Sequence, residues 1–305
     1  MRLLVTGGAG YIGASILPLL AGDSRFSEVL VYDNICHGRH GLFTGSPFGG
    51  SVRFLRGDIL DTRSLRKALE GVDTVLHLAA KVSTPFAHGD PHAFEQVNHW
   101  GTAELGYLLE ESSVAQVVYM SSASVYGGSE EPLEPGVPPR PRTWYGSSKL
   151  RGEDMLLRLS ERMRVHVLRC ANVYGPGPSA RFEAVINRFM LQAHFEGRIT
   201  IEGDGSQRRP FIHVSNACSA ILGVLGSELP SGVYSLVQRN ASVMEIAEAL
   251  KSLYPALEMI FVEQDMPRHG LQVRPSPALE EWIRHRPLEE ELADFATGFS
   301  FGASG

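Results

Sequence analysis

Six short apolar runs punctuate the first part of the chain, at 3–6, 29–33, 52–57, 74–78, 117–121 and 165–169. Each is of strand length and rich in β-branched residues. Between them lie stretches with apolar residues three and four apart, clearest at 62–70 and 92–111. Parallel strands need helical crossovers of this kind, so the pattern predicts a doubly wound, parallel α/β sheet of the Rossmann type. A proline-dense stretch at 130–142 predicts an irregular surface loop before a helix that starts near Trp144. Pro18, inside the first crossover helix, is expected to kink or shorten it. Beyond residue 170 the alternation loosens. Glycine and proline interrupt it at 174–178 and 203–210, with helical stretches at 181–196, 215–225 and 242–253. The expected division is a sheet domain over 1–170, rejoined by some later segments, and a smaller mixed α/β domain over 171–305 set against the strand ends, where such sheets bind ligands.

With 305 residues, 43% hydrophobic and 20% charged, the chain can bury a full core. Its formal net charge of −6, with Lys and Arg scattered, gives no basic field for a polyanion and argues against a nucleic-acid partner. Cys36, Cys170 and Cys218 are far apart and form no CxxC pair, which suits a reducing compartment and offers no metal-ligand spacing. The chain opens on MRLLVTGG, already a strand and a turn, and no apolar run approaches the roughly 18 residues of a membrane span. A cytoplasmic protein without membrane contact is expected.

The first apolar run leads directly into Gly7-Gly8-Ala9-Gly10-Tyr11-Ile12-Gly13, a GxxGxxG turn opening a helix. Glycines let the backbone turn sharply against a pyrophosphate, and the helix N-terminus offers that anion free N–H groups and positive dipole. Strand, turn and helix in this order point to a dinucleotide site rather than a plain tight turn. Asp33 stands twenty residues beyond Gly13, at the end of the second run. A carboxylate there accepts hydrogen bonds from adenosine ribose hydroxyls and repels a 2′-phosphate, favouring NAD over NADP. Asp58, just after the third run, fits either a place facing adenine or a turn cap.

Tyr145 and Lys149 stand four apart in a helical stretch and so share one face. A phenol with pKa near 10 works as a base at neutral pH only if its phenolate is favoured by roughly 4 kcal/mol. A neighbouring ammonium and a cationic nicotinamide could supply that together. Upstream, the fifth run ends in Ser121, Ser122 and Ser124, placing hydroxyls at the carboxyl edge of the sheet. Ser121 and Ser124 read best as caps, and Ser122 as a functional group.

TGGAGYIG, Asp33-Asn34, His77-Leu78-Ala79-Ala80, Asn98, SSASVYG, Tyr145-x-x-x-Lys149 and Asn172 before Tyr174-Gly175-Pro176 together resemble the extended short-chain dehydrogenase/reductases, the NAD-dependent epimerase/dehydratase group, over about residues 1–215. The loop Asp33-Asn34-Ile35-Cys36 is particularly similar to that of UDP-glucose 4-epimerases. The resemblance implies NAD held at Gly7, Gly10, Tyr11, Ile12 and Gly13, at Asp33 and Asn34, at Asp58 and Ile59, and at Leu78, Ala79 and Ala80, with Asn98 supporting the Lys149 end. It makes Tyr145 the general base, Lys149 its electrostatic partner and ribose ligand, and Ser122 the hydroxyl on the substrate oxygen. Asn172 and Arg209 match positions that contact the nucleotide diphosphate, and Arg268 is a looser match to a second such arginine. A homodimer paired through helices near 92–111 and 145–163 is also implied.

The departures from that resemblance narrow the chemistry. Family dehydratases carry an Asp-Glu pair straight after the catalytic hydroxyl, where this chain has Ala123 and Ser124. Elimination of water therefore lacks its acid. A sugar-acid decarboxylase would be expected to have glutamate at Ser124. Pro210 and Ser215-Asn216 replace acidic residues usual in the family. The expected activity is C4 epimerisation of a UDP-hexose through a 4-keto intermediate. A net reductase or dehydrogenase of a keto-sugar nucleotide, and a non-catalytic NAD-binding sensor, remain as alternatives.

Overall fold

The computed structural model describes residues 1–36, 40–43, 48, 50–82, 90–263 and 270–302. The six apolar runs all form strands: β1 (Arg2–Thr6), β2 (Glu28–Asp33), β3 (Val52–Arg56), β4 (Thr74–His77), β5 (Gln116–Ser122) and, after the short β6 (Ser129–Leu133), β7 (Arg164–Cys170). The second half adds β8 (Asn172–Tyr174), β9 (Arg198–Glu202), β10 (Arg208–His213), β11 (Gly232–Leu236), β12 (Arg239–Ser242), β13 (Glu258–Val262) and β14 (Leu271–Val273). Seven strands make one all-parallel sheet in the order β11-β7-β5-β4-β1-β2-β3. The expected Rossmann architecture is present. The order reverses between β1 and β4, and this switch point opens a crevice at the carboxyl ends of the strands.

Helices α1 (Tyr11–Ala21), α2 (Thr62–Ala68), α3 (Pro91–Phe94), α4 (Gly101–Glu110) and α5 (Trp144–Leu157) lie between the strands of the first half. The second half carries α6 (Val185–Glu196), α7 (Val214–Gly226), α8 (Val243–Leu253) and α9 (Leu288–Thr297). Side chains alternate across a strand, so Leu3 and Val5 enter a core with α1 and α7 while Leu4 enters one with α2, α4 and α5. Each such side chain, fully buried, contributes about 1.5–3 kcal/mol. A third core, with Phe189, Phe211, Ile246 and Leu292, joins α6, α8 and α9 beside the strand ends.

Helix starts follow their caps. The Asp61 carboxylate accepts from Ser64 N at 3.0 Å and the Thr143 hydroxyl from Gly146 N at 3.0 Å, while Ser242 and Glu245 form a reciprocal capping box. The segment read as one helix over 92–111 begins at Pro91, capped by Asp90, and contains a π-helical turn over Glu95–Trp100. Helix α1 passes through Pro18 and ends three residues later at Ala21. The stretch at 130–142 is not wholly irregular, because β6 pairs in parallel with β14. Its partner lies about 140 residues away, so no local pattern announced it. Among the described residues no helix is long and apolar enough to cross a membrane.

Candidate active site

A cavity of about 820 Å³ runs along the switch point, a size that suits a small-molecule or cofactor site. Its first wall is the turn between β1 and α1. Gly7 has φ +72°, and a Cβ there would sit 2.4 Å from Ala79 N, so the turn packs directly on the backbone leaving β4. Gly10 is different: a Cβ would meet only the Gly7 carbonyl oxygen, at 3.1 Å. Space is thus kept on the cavity side of Gly10. Gly10 begins α1 without any side-chain cap, as α6 and α9 also begin, so the first-turn N–H groups have no helical partner, and the first-turn residues Tyr11, Ile12 and Gly13 line the cavity. Uncapped donors, a dipole end and reserved space suit a pyrophosphate.

Beside the turn, the Asp33 carboxylate accepts from Ala9 N at 3.0 Å and from Ile35 N at 2.7 Å. The second bond braces Ile35, which has φ 57°, a costly conformation for a β-branched residue. Asn34 donates to Asp58 Oδ2 at 2.8 Å and accepts from Cys36 N at 3.0 Å, while Asp58 Oδ1 accepts from Leu60 N at 2.9 Å. Asp58 therefore caps a turn and lines the cavity together with Ile59. Leu78, Ala79 and Ala80, against which the glycine turn packs, also line the cavity. These residues could hold a dinucleotide extended over the strand ends.

Helix α5 brings Tyr145 and Lys149 into the middle of the cavity, opposite Ser122 at the end of β5. Burial pushes the Tyr145 phenol up, while its hydrogen bond with Ser122 and the charge of Arg181 pull it down. Lys149 is buried. Its Nζ donates to Met120 O at 2.8 Å and lies 4.7 Å from the Tyr119 ring centre. Desolvation lowers its pKa to about 7, against the opposing pull of Glu153 one helical turn on. The phenol is thus held above its ordinary value by burial, partly offset by Ser122 and Arg181, and the ammonium expected to serve it is engaged by a carbonyl and a ring. Ser121, also in the cavity wall, donates to the Glu153 carboxylate, itself held by Arg169 at 2.7 Å. Ser124, read from sequence as a cap, lines the cavity and donates to Ser122 Oγ at 2.8 Å.

Asn98, expected at the cofactor, lies behind the wall. Fully buried within the π-helical turn, it accepts from Lys81 N at 2.8 Å and donates to Lys81 O at 2.9 Å and to Ser148 Oγ at 3.0 Å. It locks the strand exit after Ala80 to the helix of Tyr145. Asn172, opposite Phe211 in the parallel pairing of β8 with β10, and Arg209, two residues before Phe211 on β10, both line the cavity. Asn172 donates to Pro210 O at 3.0 Å. Arg268 lies outside the described residues. Sequence reasoning missed Arg181 and Arg188, which also line the cavity. Both fall in the stretch over 181–196 read as helical, where an arginine on a helix reads as a solvated surface residue; the helix itself begins at Val185, which leaves Arg181 on the segment before it.

A family model described as the NAD dependent epimerase/dehydratase family matches residues 3–236. The chain belongs to this family. It is an NAD-dependent enzyme of the extended short-chain dehydrogenase/reductase type, as the motifs implied. Over 262 residues it is 30% identical to the dTDP-D-glucose 4,6-dehydratase of Mus musculus, covering 83% of this chain and 72% of that one. It is 30% identical over 244 residues to a Bacillus subtilis (strain 168) protein named "Uncharacterized UDP-glucose epimerase YtcB", covering 74% of this chain and 73% of that one. The solved structure of MoeE5 in complex with UDP-glucose and NAD superposes with a TM-score of 0.82 at 28% identity, covering 97% of both chains. Membership in the epimerase/dehydratase family thus leaves the reaction to be argued from the site.

Proposed function

We propose that the protein is a C4 epimerase of a nucleotide sugar, with a UDP-hexose as substrate and a 4-keto sugar as intermediate. The observation that carries this reading is the pair of residues next to Ser122: Ala123 and Ser124 occupy the cavity wall where elimination would need an acid. Glu153 is buried and bound by Ser121 and Arg169, and Glu183 is half-exposed and paired with Arg181 at 4.0 Å. Similarity to a named UDP-glucose epimerase and to a UDP-glucose complex supports the substrate class.

NAD, when bound, supplies the acceptor that takes hydride from the sugar carbon and returns it. Tyr145 takes the hydroxyl proton as the carbonyl forms, and gives it back when the hydroxyl is restored. Ser122 Oγ accepts from Ser124, so its one proton, directed at the Tyr145 oxygen in this structure, is the one that turns to negative charge growing on the sugar oxygen. Arg209 and Asn172 hold the diphosphate, so the hexose can turn over between removal and return of the hydrogen. No external reductant is consumed. Incubation with a panel of UDP-hexoses should yield a C4 epimer without net NADH. Loss of water or carbon dioxide, or steady NADH formation, would overturn the assignment.

We also infer a homodimer. Trp100, Tyr107 and Trp144 are 54%, 48% and 63% exposed on the helical segments that the family resemblance pairs across a two-fold axis, and large exposed aromatics suit such a contact. Light scattering should give twice the 33.3 kDa of one chain, and a mass of one chain would contradict this.

A further inference from the structure

Between β8 and α6 the chain runs as a strap over residues 175–184, and this strap is fastened at both of its ends. Asn187, in the first turn of α6, is fully buried. Its Oδ1 accepts from Gly175 N at 3.0 Å, and its Nδ2 donates to Arg181 O at 3.1 Å and approaches the Tyr11 hydroxyl at 3.5 Å. Tyr11, the first residue of α1, donates its hydroxyl to Gly175 O. Ser179, also buried, donates to Ala9 O at 3.1 Å. The strap therefore hangs from the glycine turn at Ala9 and Tyr11 and from α6 at Asn187, and it carries Arg181 into the cavity shared with Tyr145.

We infer that Asn187 is a positioning residue: with Ser179 and Tyr11 it fixes the strap and so holds Arg181 where its charge reaches the catalytic phenol. A buried amide that spends both its donor and its acceptor on strap backbone is costly unless satisfied, and here both backbone ends are satisfied at once. The fixed strap matters to the chemistry because a cation in the same low-dielectric cavity favours the phenolate. The groups around Tyr145 are Lys149 on its own helix, Ser122 and Tyr119 from β5, Cys170 from the end of β7, and, from the strap, Arg181 together with Glu183, which lies 4.0 Å from Arg181 and also lines the cavity. Of these, Arg181 is the cation whose position depends on the strap.

The proposal rests on Tyr145 acting as the base, and its test is read on consumption of nucleotide sugar, whatever the product. A wrong product would sink the epimerase reading and leave this test standing. Asn187→Leu frees the strap, lets Arg181 move away and weakens the phenolate. The acid limb of the pH–rate profile then moves to higher pH. Arg181→Met should move it equally, and the double variant Asn187→Leu/Arg181→Met should add nothing, because one residue acts through the other. Additive shifts, or an unmoved limb in Asn187→Leu, would overturn the proposal. Should Asn187→Leu fail to fold, Ser179→Ala cuts only the tether to Ala9 and enters the same cycle with the same expected outcome. Phenolate absorbance of the NAD-loaded protein, measured against Tyr145→Phe, should report the same shift without turnover.

Discussion

Tyr145→Phe should lower turnover of the sugar nucleotide by about 10²–10⁴-fold, the range for removing a positioned acid–base group, while NAD affinity is kept. The ring packs against Phe94, with centroids 5.8 Å apart, and phenylalanine preserves that contact. Only the hydroxyl that meets Ser122 is lost. The effect should fall on kcat more than on KM, because proton transfer is gained in the transition state rather than in binding. Steady-state kinetics alongside calorimetric titration with NAD checks both halves. Retained turnover would remove Tyr145 from the chemistry, whereas joint loss of turnover and NAD binding would show only that the site had collapsed.

The glycine turn predicts a second large effect, with opposite consequences at two positions. At Gly10 a methyl group meets only the Gly7 carbonyl oxygen at 3.1 Å, which has to yield by a few tenths of an ångström. Gly10→Ala should therefore fold, yet fill the space kept for the pyrophosphate and weaken NAD binding at least tenfold, about 1.4 kcal/mol. At Gly13 the same methyl would lie 2.5 Å from Gly8 Cα and 2.6 Å from Gly8 O. Gly13→Ala should separate α1 from the turn and cost about 1–3 kcal/mol of stability before any ligand is added. Thermal melts with and without NAD distinguish the two. Equal behaviour of both variants would mean that Gly10 serves packing and not a ligand.

Much of this site was legible in the sequence because its parts lie on regular elements. Gly7 to Gly13, Ser122 and Tyr145 follow or open strands and helices whose periodicity is strong, so their placement at the sheet's carboxyl edge could be reasoned out in advance. Asn98 was legible as a residue but not in its role: nothing in its spacing shows that its amide would be spent on Lys81 and Ser148, behind the wall. Ser124 was underread for the same reason, since a cap and a donor to Ser122 have one sequence signature. The strap escaped entirely. Ser179 and Asn187 meet Ala9 and Tyr11 across some 170 residues, and such contacts are set by tertiary packing, without local pattern. Strand β11 was hidden similarly, since a short segment opening on Gly232 becomes a sheet strand only by joining β7.

Epimerisation as proposed requires hydrogen to leave the sugar carbon, to stay within the site and to return to the same carbon from the other face. Turnover of a UDP-hexose deuterated at C4, followed by nuclear magnetic resonance of the product, tests it most directly. Deuterium retained at C4 of the inverted sugar is the predicted result. Label found at another carbon, in free NADH or in solvent would contradict it.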